Sequence, residues 1–126
     1  MPKKHVTTTD APKPIGPYSQ AVIAGGLLWA SGQIPLDPQT GQLVDGDIEV
    51  QTEQVLKNIL AVLKEAKMGP ENVVKATVYL ADMADFPAVN EVYGRFLGKE
   101  PPARSTIQAA ALPKGARIEM DVIAAF

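Results

Sequence analysis

Arg104 is the residue whose setting most invites chemistry. It follows Pro101-Pro102-Ala103, so the backbone that leads to it is stiff. An arginine on a rigid approach suits two-pronged recognition of a planar carboxylate. The same spacing also fits a surface arginine paired with a nearby acid. Glu119 sits among alternating apolar residues near the C-terminus, where it is either a solvated strand-face acid or a base aimed at a substrate. Tyr18 ends a proline-stiffened arm and would serve as an aromatic lid or as a packing anchor. Ser31-Gly32 ends an apolar run; the glycine lets a ligand approach the backbone and the serine offers a hydroxyl, although an ordinary turn needs the same pair.

Other chemistries are poorly served. With no cysteine, the chain has no disulfide, no thiolate metal ligand and no thiol nucleophile. A single histidine, His5, argues against zinc and against a Ser-His-Asp triad, and His5 reads as a surface residue on an edge strand. There is no GxGxxG and no Walker A pattern. Net charge is −2 and the pI about 5.3, so no basic footprint for nucleic acid exists. No run of roughly 18 apolar residues suggests a membrane span, and no apolar stretch follows Lys3-Lys4 to make a signal peptide. These features make the cytoplasm the default location and argue against zinc and thiolate metal sites.

The elements that must position these residues follow from periodicity. Residues 5–8 are β-prone. Residues 10–17 hold three prolines and should be an extended arm. Two strand-like runs, 20–24 and 27–31, flank Gly25-Gly26, a pair suited to a tight hairpin turn. A loop over 33–47 leads to a helix in which Val55, Leu56, Ile59, Leu60 and Leu63 form an apolar stripe; Asp47 or Thr52 would cap its start, and Gly69-Pro70 would stop it. Residues 73–80 read as a strand with Val74, Ala76, Val78 and Leu80 on one face and Val73, Lys75, Thr77 and Tyr79 on the other. A second helix spans about 86–97, with Pro87 in its first turn and Gly98 at its end. Strands over 105–111 and 116–125 follow, joined by a turn at Pro113-Lys114-Gly115.

The order is therefore β-β-β-α-β-α-β-β, an α+β domain over residues 1–126. Its six strands should form a mostly antiparallel sheet with two helices together on one face. Half-apolar groups such as Val73 and Tyr79 on the other face favour a homo-oligomer packed sheet against sheet. The last two strands, joined by a short turn, are expected to be antiparallel neighbours. That hairpin places Glu119 opposite about residue 108, too far from Arg104 for direct contact within one chain.

Five segments taken together resemble the RidA (YjgF-like) family of reactive intermediate deaminases. They are Gly16-Pro17-Tyr18-Ser19-Gln20-Ala21, Ser31-Gly32-Gln33-Ile34-Pro35, Asn90 with Tyr93, Pro102-Ala103-Arg104-Ser105, and Ile118-Glu119-Met120. The resemblance spans nearly the whole chain. It implies a chorismate-mutase-like fold, a homotrimer with a cleft at each subunit interface, and no cofactor or metal. It also implies hydrolytic deamination of 2-enamine and 2-imine acids, such as 2-aminoacrylate and 2-iminopropanoate, made by pyridoxal-phosphate-dependent dehydratases. Arg104 matches the family's carboxylate ligand and Glu119 the residue that positions a hydrolytic water. Tyr18, Ser31, Gly32 and Asn90 match positions lining the cleft. Thr106 stands where many relatives carry cysteine at a contact made partly through the backbone, so thiol-based behaviour is not expected here. A sensor that binds a small acid without turning it over is the competing expectation.

Overall fold

The computed structural model describes residues 2–126. Its strands are β1 (Lys4–Val6), β2 (Ala21–Ala24), β3 (Leu27–Ala30), β4 (Val73–Leu80), β5 (Ala103–Gln108) and β6 (Ile118–Ala125). Two helices, α1 (Ile48–Glu65) and α2 (Phe86–Leu97), complete the elements that matter here. The strands form one six-stranded sheet in the order β1-β2-β3-β6-β4-β5. All neighbours are antiparallel except β4 and β5. The α+β class, the six strands and the two helices expected from the periodicity are all present.

The main core lies between the sheet and the helices. Val55, Leu56, Ile59, Val62 and Leu63 from α1 and Val89, Val92 and Leu97 from α2 meet Leu28, Ala76, Val78, Leu80, Ile118, Met120 and Val122. Asp47 caps α1, its side chain accepting a hydrogen bond from the Val50 backbone N–H at 3.0 Å, which settles the choice between Asp47 and Thr52. The helix ends earlier than Gly69-Pro70 suggest. It stops at Glu65, and Lys67 takes the left-handed conformation (φ 61°) while the Met68 N–H reaches back to Leu63 O at 2.9 Å.

Two expectations about strands are overturned. β5 and β6 are not hairpin partners. The β4-α2-β5 segment is a crossover through a helix, and such a connection returns the chain parallel to the strand it left. β5 therefore takes the edge beside β4, with Ala76 opposite Arg104 and Val78 opposite Thr106. β6 alternates fully buried and half-buried residues along its length and inserts between β3 and β4. Glu119 accordingly faces Tyr79, not a residue of β5. The second correction concerns Val73 and Val74. A register shift between Val73 and Lys75 swaps their faces, so Val73 is buried and Val74 is 46% exposed. Tyr79 remains on the face away from the helices.

That outer face carries His5, Val22, Trp29, Ile123, Thr77, Tyr79, Asp121 and Glu119, as the cross-strand partners require. Trp29 is 44% exposed and Ile107, on the same face of the edge strand, is 49% exposed. Among the described residues, no helix is long and apolar enough to cross a membrane.

Candidate active site

The candidate residues fall into two groups on opposite faces of the sheet. Glu119 and its surroundings form the first. Residues 33–36 run beside β6, with Gln33 and Met120 exchanging backbone hydrogen bonds at 2.8 and 3.1 Å. This brings Gly32 against Glu119. A Cβ at position 32 would overlap Oε2 of Glu119 and lie 3.0 Å from its Cδ, so only glycine leaves the carboxylate in place. Tyr18 and Glu119 share a hollow of about 380 Å³, whose apolar wall includes Pro12, Ile15, Ile34 and Leu36 and whose rim carries Lys13. Burial, and secondarily the Asp121 carboxylate nearby, push the Glu119 carboxyl above the usual carboxylate range. A carboxyl so raised is better matched to proton transfer near neutral pH than an exposed glutamate.

The proline arm is fixed by Gln20, which lies in the Gly16-to-Ala21 segment of the family pattern but to which the sequence assigned no role. Its side chain is almost fully buried. It accepts from Thr8 N–H at 2.7 Å and donates to Thr8, Ala11 and Pro12 carbonyls at 3.0, 3.3 and 2.9 Å. Those bonds replace the secondary structure that three prolines forbid. Tyr18 is 47% exposed and its hydroxyl accepts from Ile15 N–H at 3.3 Å. Ser31 does not open onto the Glu119 hollow. Its hydroxyl donates to Ser19 O at 2.6 Å, and it lines a second depression on the other side of Tyr18 together with His5 and Trp29. There His5 Nδ1 and Ser19 Oγ lie 2.6 Å apart. The pairing of β1 with β2 creates this contact across 14 residues of chain, and His5 is exposed on the edge strand as expected. Among the described residues no carboxylate hydrogen-bonds to His5, so the pair lacks the third member of a triad.

Arg104 anchors the second group, on the helix face. Its guanidinium lies over the Tyr93 ring, 4.7 Å from the centroid, and 5.4 Å from that of Phe86. Phe86 and Tyr93 are seven residues apart on α2, hence on one side of the helix, a spacing visible in the sequence although their partner is not. Among the described residues Arg104 makes no ion pair; the arginines that do are Arg95 and Arg117. Asn90 Oδ1, Tyr93 OH and Thr106 Oγ1 are all buried without a hydrogen-bond partner among the described residues. Buried polar atoms are nearly always satisfied, so this concentration beside α2 and β5 marks an unusual place in the molecule. Burial raises the Tyr93 hydroxyl above its ordinary value, with the Arg104 charge opposing.

Arg104 and Thr106 thus share one face, with Asn90 on the adjoining helix, while Tyr18, Gly32 and Glu119 gather on the other. No group of three His, Cys, Asp or Glu side chains among the described residues is disposed to hold a metal.

Sheet and helices together define an α+β domain whose candidate residues gather in two places, one on each face of the sheet. The chain belongs to the RidA (YjgF-like) family: the family model described as Endoribonuclease L-PSP matches residues 8–126. It is similar to 2-iminobutanoate/2-iminopropanoate deaminase of Mus musculus, 49% identical over 122 residues that cover 97% of this chain and 90% of the relative. It is also similar to the putative regulator AldR of Lactococcus lactis, 52% identical over 121 residues and 96% of each chain. The crystal structure of RidA from an Antarctic Psychrobacter superposes with a TM-score of 0.94 at 41% identity, covering 98% of this chain and 99% of that one.

Proposed function

We propose that this protein hydrolyses reactive 2-imine and 2-enamine acids, of the 2-iminopropanoate and 2-iminobutanoate type, to 2-oxo acids and ammonia. The observation that carries the reading is Arg104, whose guanidinium is held by aromatic rings and satisfied by no acid among the described residues. Its fork is left free for a substrate carboxylate, a charge-assisted contact that contributes about 1.5–3 kcal/mol. The deaminase relative in mouse supports the reaction class.

The chemistry needs little beyond positioning. An enamine takes a proton on carbon to become an iminium. Glu119, with its raised carboxyl, accepts a proton from water as that water attacks the iminium carbon. Glu119 then returns that proton to the amine nitrogen of the carbinolamine, ammonia leaves as the C–N bond breaks, and the hydroxyl gives its proton to water as the C=O bond forms. Neither a metal nor a covalent nucleophile is required, and a general base contributes roughly 10²–10⁴-fold. Because Arg104 and Glu119 lie on opposite sheet faces, one substrate reaches both only where two copies of the chain meet. The exposed Trp29 and Ile107 on the outer face favour that assembly, and the homotrimer typical of the family is the form we propose.

The test couples a serine dehydratase, which generates 2-aminoacrylate, to pyruvate detection. The protein should accelerate pyruvate release, and Arg104→Ala should abolish the acceleration while leaving the fold intact; full turnover in Arg104→Ala refutes the mechanism. A second reading, a regulator that binds a small acid without converting it, is favoured by the regulator named among the relatives. Glu119 distinguishes the two, since a pure acid binder gains nothing from a second negative group. The nuclease named in the family description finds no support in a chain of net charge −2.

A further inference from the structure

We infer that Tyr93 is a positioning residue for Arg104: its ring, with that of Phe86, orients the guanidinium without occupying any of its N–H donors. This rests on the proposed role of Arg104 as the carboxylate ligand. An arginine in a protein is usually steadied by an acid, which fixes it but also competes with any incoming carboxylate. Here the steadying groups are two π faces, at 4.7 and 5.4 Å. A cation over a ring is attracted to its π face without either partner using a carboxylate, so the ring does not compete as an acid would for the substrate's carboxylate contact. Tyr93 is only 5% exposed and is packed in the main core, so its ring has little freedom to move. Arg104 sits on the edge strand, where no further strand restrains it, and α2 supplies the restraint instead.

The hydroxyl and the ring of Tyr93 can be told apart. The hydroxyl is buried without a partner. Removing it therefore breaks no hydrogen bond within the chain, whereas removing the ring takes away the surface on which the arginine lies. Tyr93→Phe keeps the ring; Tyr93→Leu keeps only apolar bulk. Phe86 is half-buried, so Phe86→Leu removes the other ring with less demand on the core.

Two readouts separate this inference from the proposed reaction. The first is the order of the Arg104 Nε–Hε group by NMR relaxation in the ligand-free protein, which needs no substrate. It should fall in Tyr93→Leu and Phe86→Leu and match wild type in Tyr93→Phe. The second is the KM for the imino acid. It should rise roughly two- to thirtyfold in Tyr93→Leu, the range cation–π contacts span from exposed to desolvated sites, with a smaller change in kcat. Unchanged Arg104 order in both leucine variants overturns the inference, and so does a Tyr93→Phe variant as disordered at Arg104 as Tyr93→Leu. If Tyr93→Leu does not fold, Phe86→Leu decides alone. A wild-type protein without deaminase activity removes the proposed reaction but leaves the NMR comparison to decide the clamp.

Discussion

Replacing Gly32 with alanine is the sharpest probe of how Glu119 is placed. The substitution adds one methyl group. Gly32 is not among the glycines in the left-handed region, so alanine meets no backbone strain there. The new carbon would overlap Oε2 of Glu119 and crowd its Cδ at 3.0 Å and Cγ at 3.3 Å. Everything it meets is the far part of one flexible side chain, so Glu119 swings aside and the stability cost stays near the low end of overpacking, about 1 kcal/mol. Restoring ordinary contact moves the carboxylate by on the order of 1 Å, a misplacement that costs about 10²-fold in rate. In barrier terms this is about 2.7 kcal/mol, larger than the stability effect. The assay is steady-state deamination at a fixed pH, with thermal denaturation in parallel. A 10²-fold fall in kcat with little change in KM or Tm is expected. If Gly32→Ala keeps wild-type kcat, the carboxylate position described here is not the one the reaction uses.

Glu119→Gln tests the raised carboxyl directly. In the unfolded chain Glu119 loses its proton near the ordinary value of 4.5, whereas in the folded protein it holds the proton to higher pH. Folding therefore binds a proton in that interval, and wild-type stability falls as pH rises from 4.5 through the raised folded value. Denaturant titrations across the interval should show the glutamine variant gaining stability relative to wild type, and parallel curves would contradict the burial argument. The acid limb of kcat/KM should lie above the usual carboxylate range and vanish in the variant. Asn58 tests the wall of the hollow: it is 1% exposed and donates to Ile34 O and Leu36 O at 3.3 and 3.0 Å. Asn58→Ala takes the side-chain donor from Leu36 O and leaves Ile34 O only its bond from Leu36 N–H at 2.7 Å. It should cost about 1–3 kcal/mol, or roughly 5–10 °C in Tm, with a raised KM; a change under about 0.5 kcal/mol would refute that role.

How much of this was legible depended on the range of the interaction. Both helices announced themselves through the spacing of apolar residues, since a helix face is a local property. The alternation along β6 likewise marked which residues point inward and put Glu119 on the opposite face, although its half-burial there was not foreseen. Strand order was not legible, because a short turn between β5 and β6 suggested a hairpin while the crossover through α2 had already claimed the edge for β5. Val73 and Val74 exchanged faces through one irregular residue, which no alternation pattern anticipates. Lys67, not Gly69, took the left-handed position after α1, so the expected glycine signal lay two residues late. Arg104 stood out from its proline-stiffened approach, and the family pattern assigned it a role. Its aromatic bed and the face it occupies emerged only when β4, α2 and β5 were assembled in space.

The separation of Arg104 and Glu119 onto two faces has a genetic consequence under the proposed reaction and the proposed trimer. A chain lacking the arginine still carries an intact glutamate half, and a chain lacking the glutamate still carries an intact arginine half. Neither works alone, yet a ring of three that contains both kinds has one junction where the two good halves meet. Coexpressed in equal amounts and assembled at random, two dead variants would thus recover roughly a quarter of wild-type activity. By the same logic, a single defective allele would disable sites in assemblies built mostly from healthy copies.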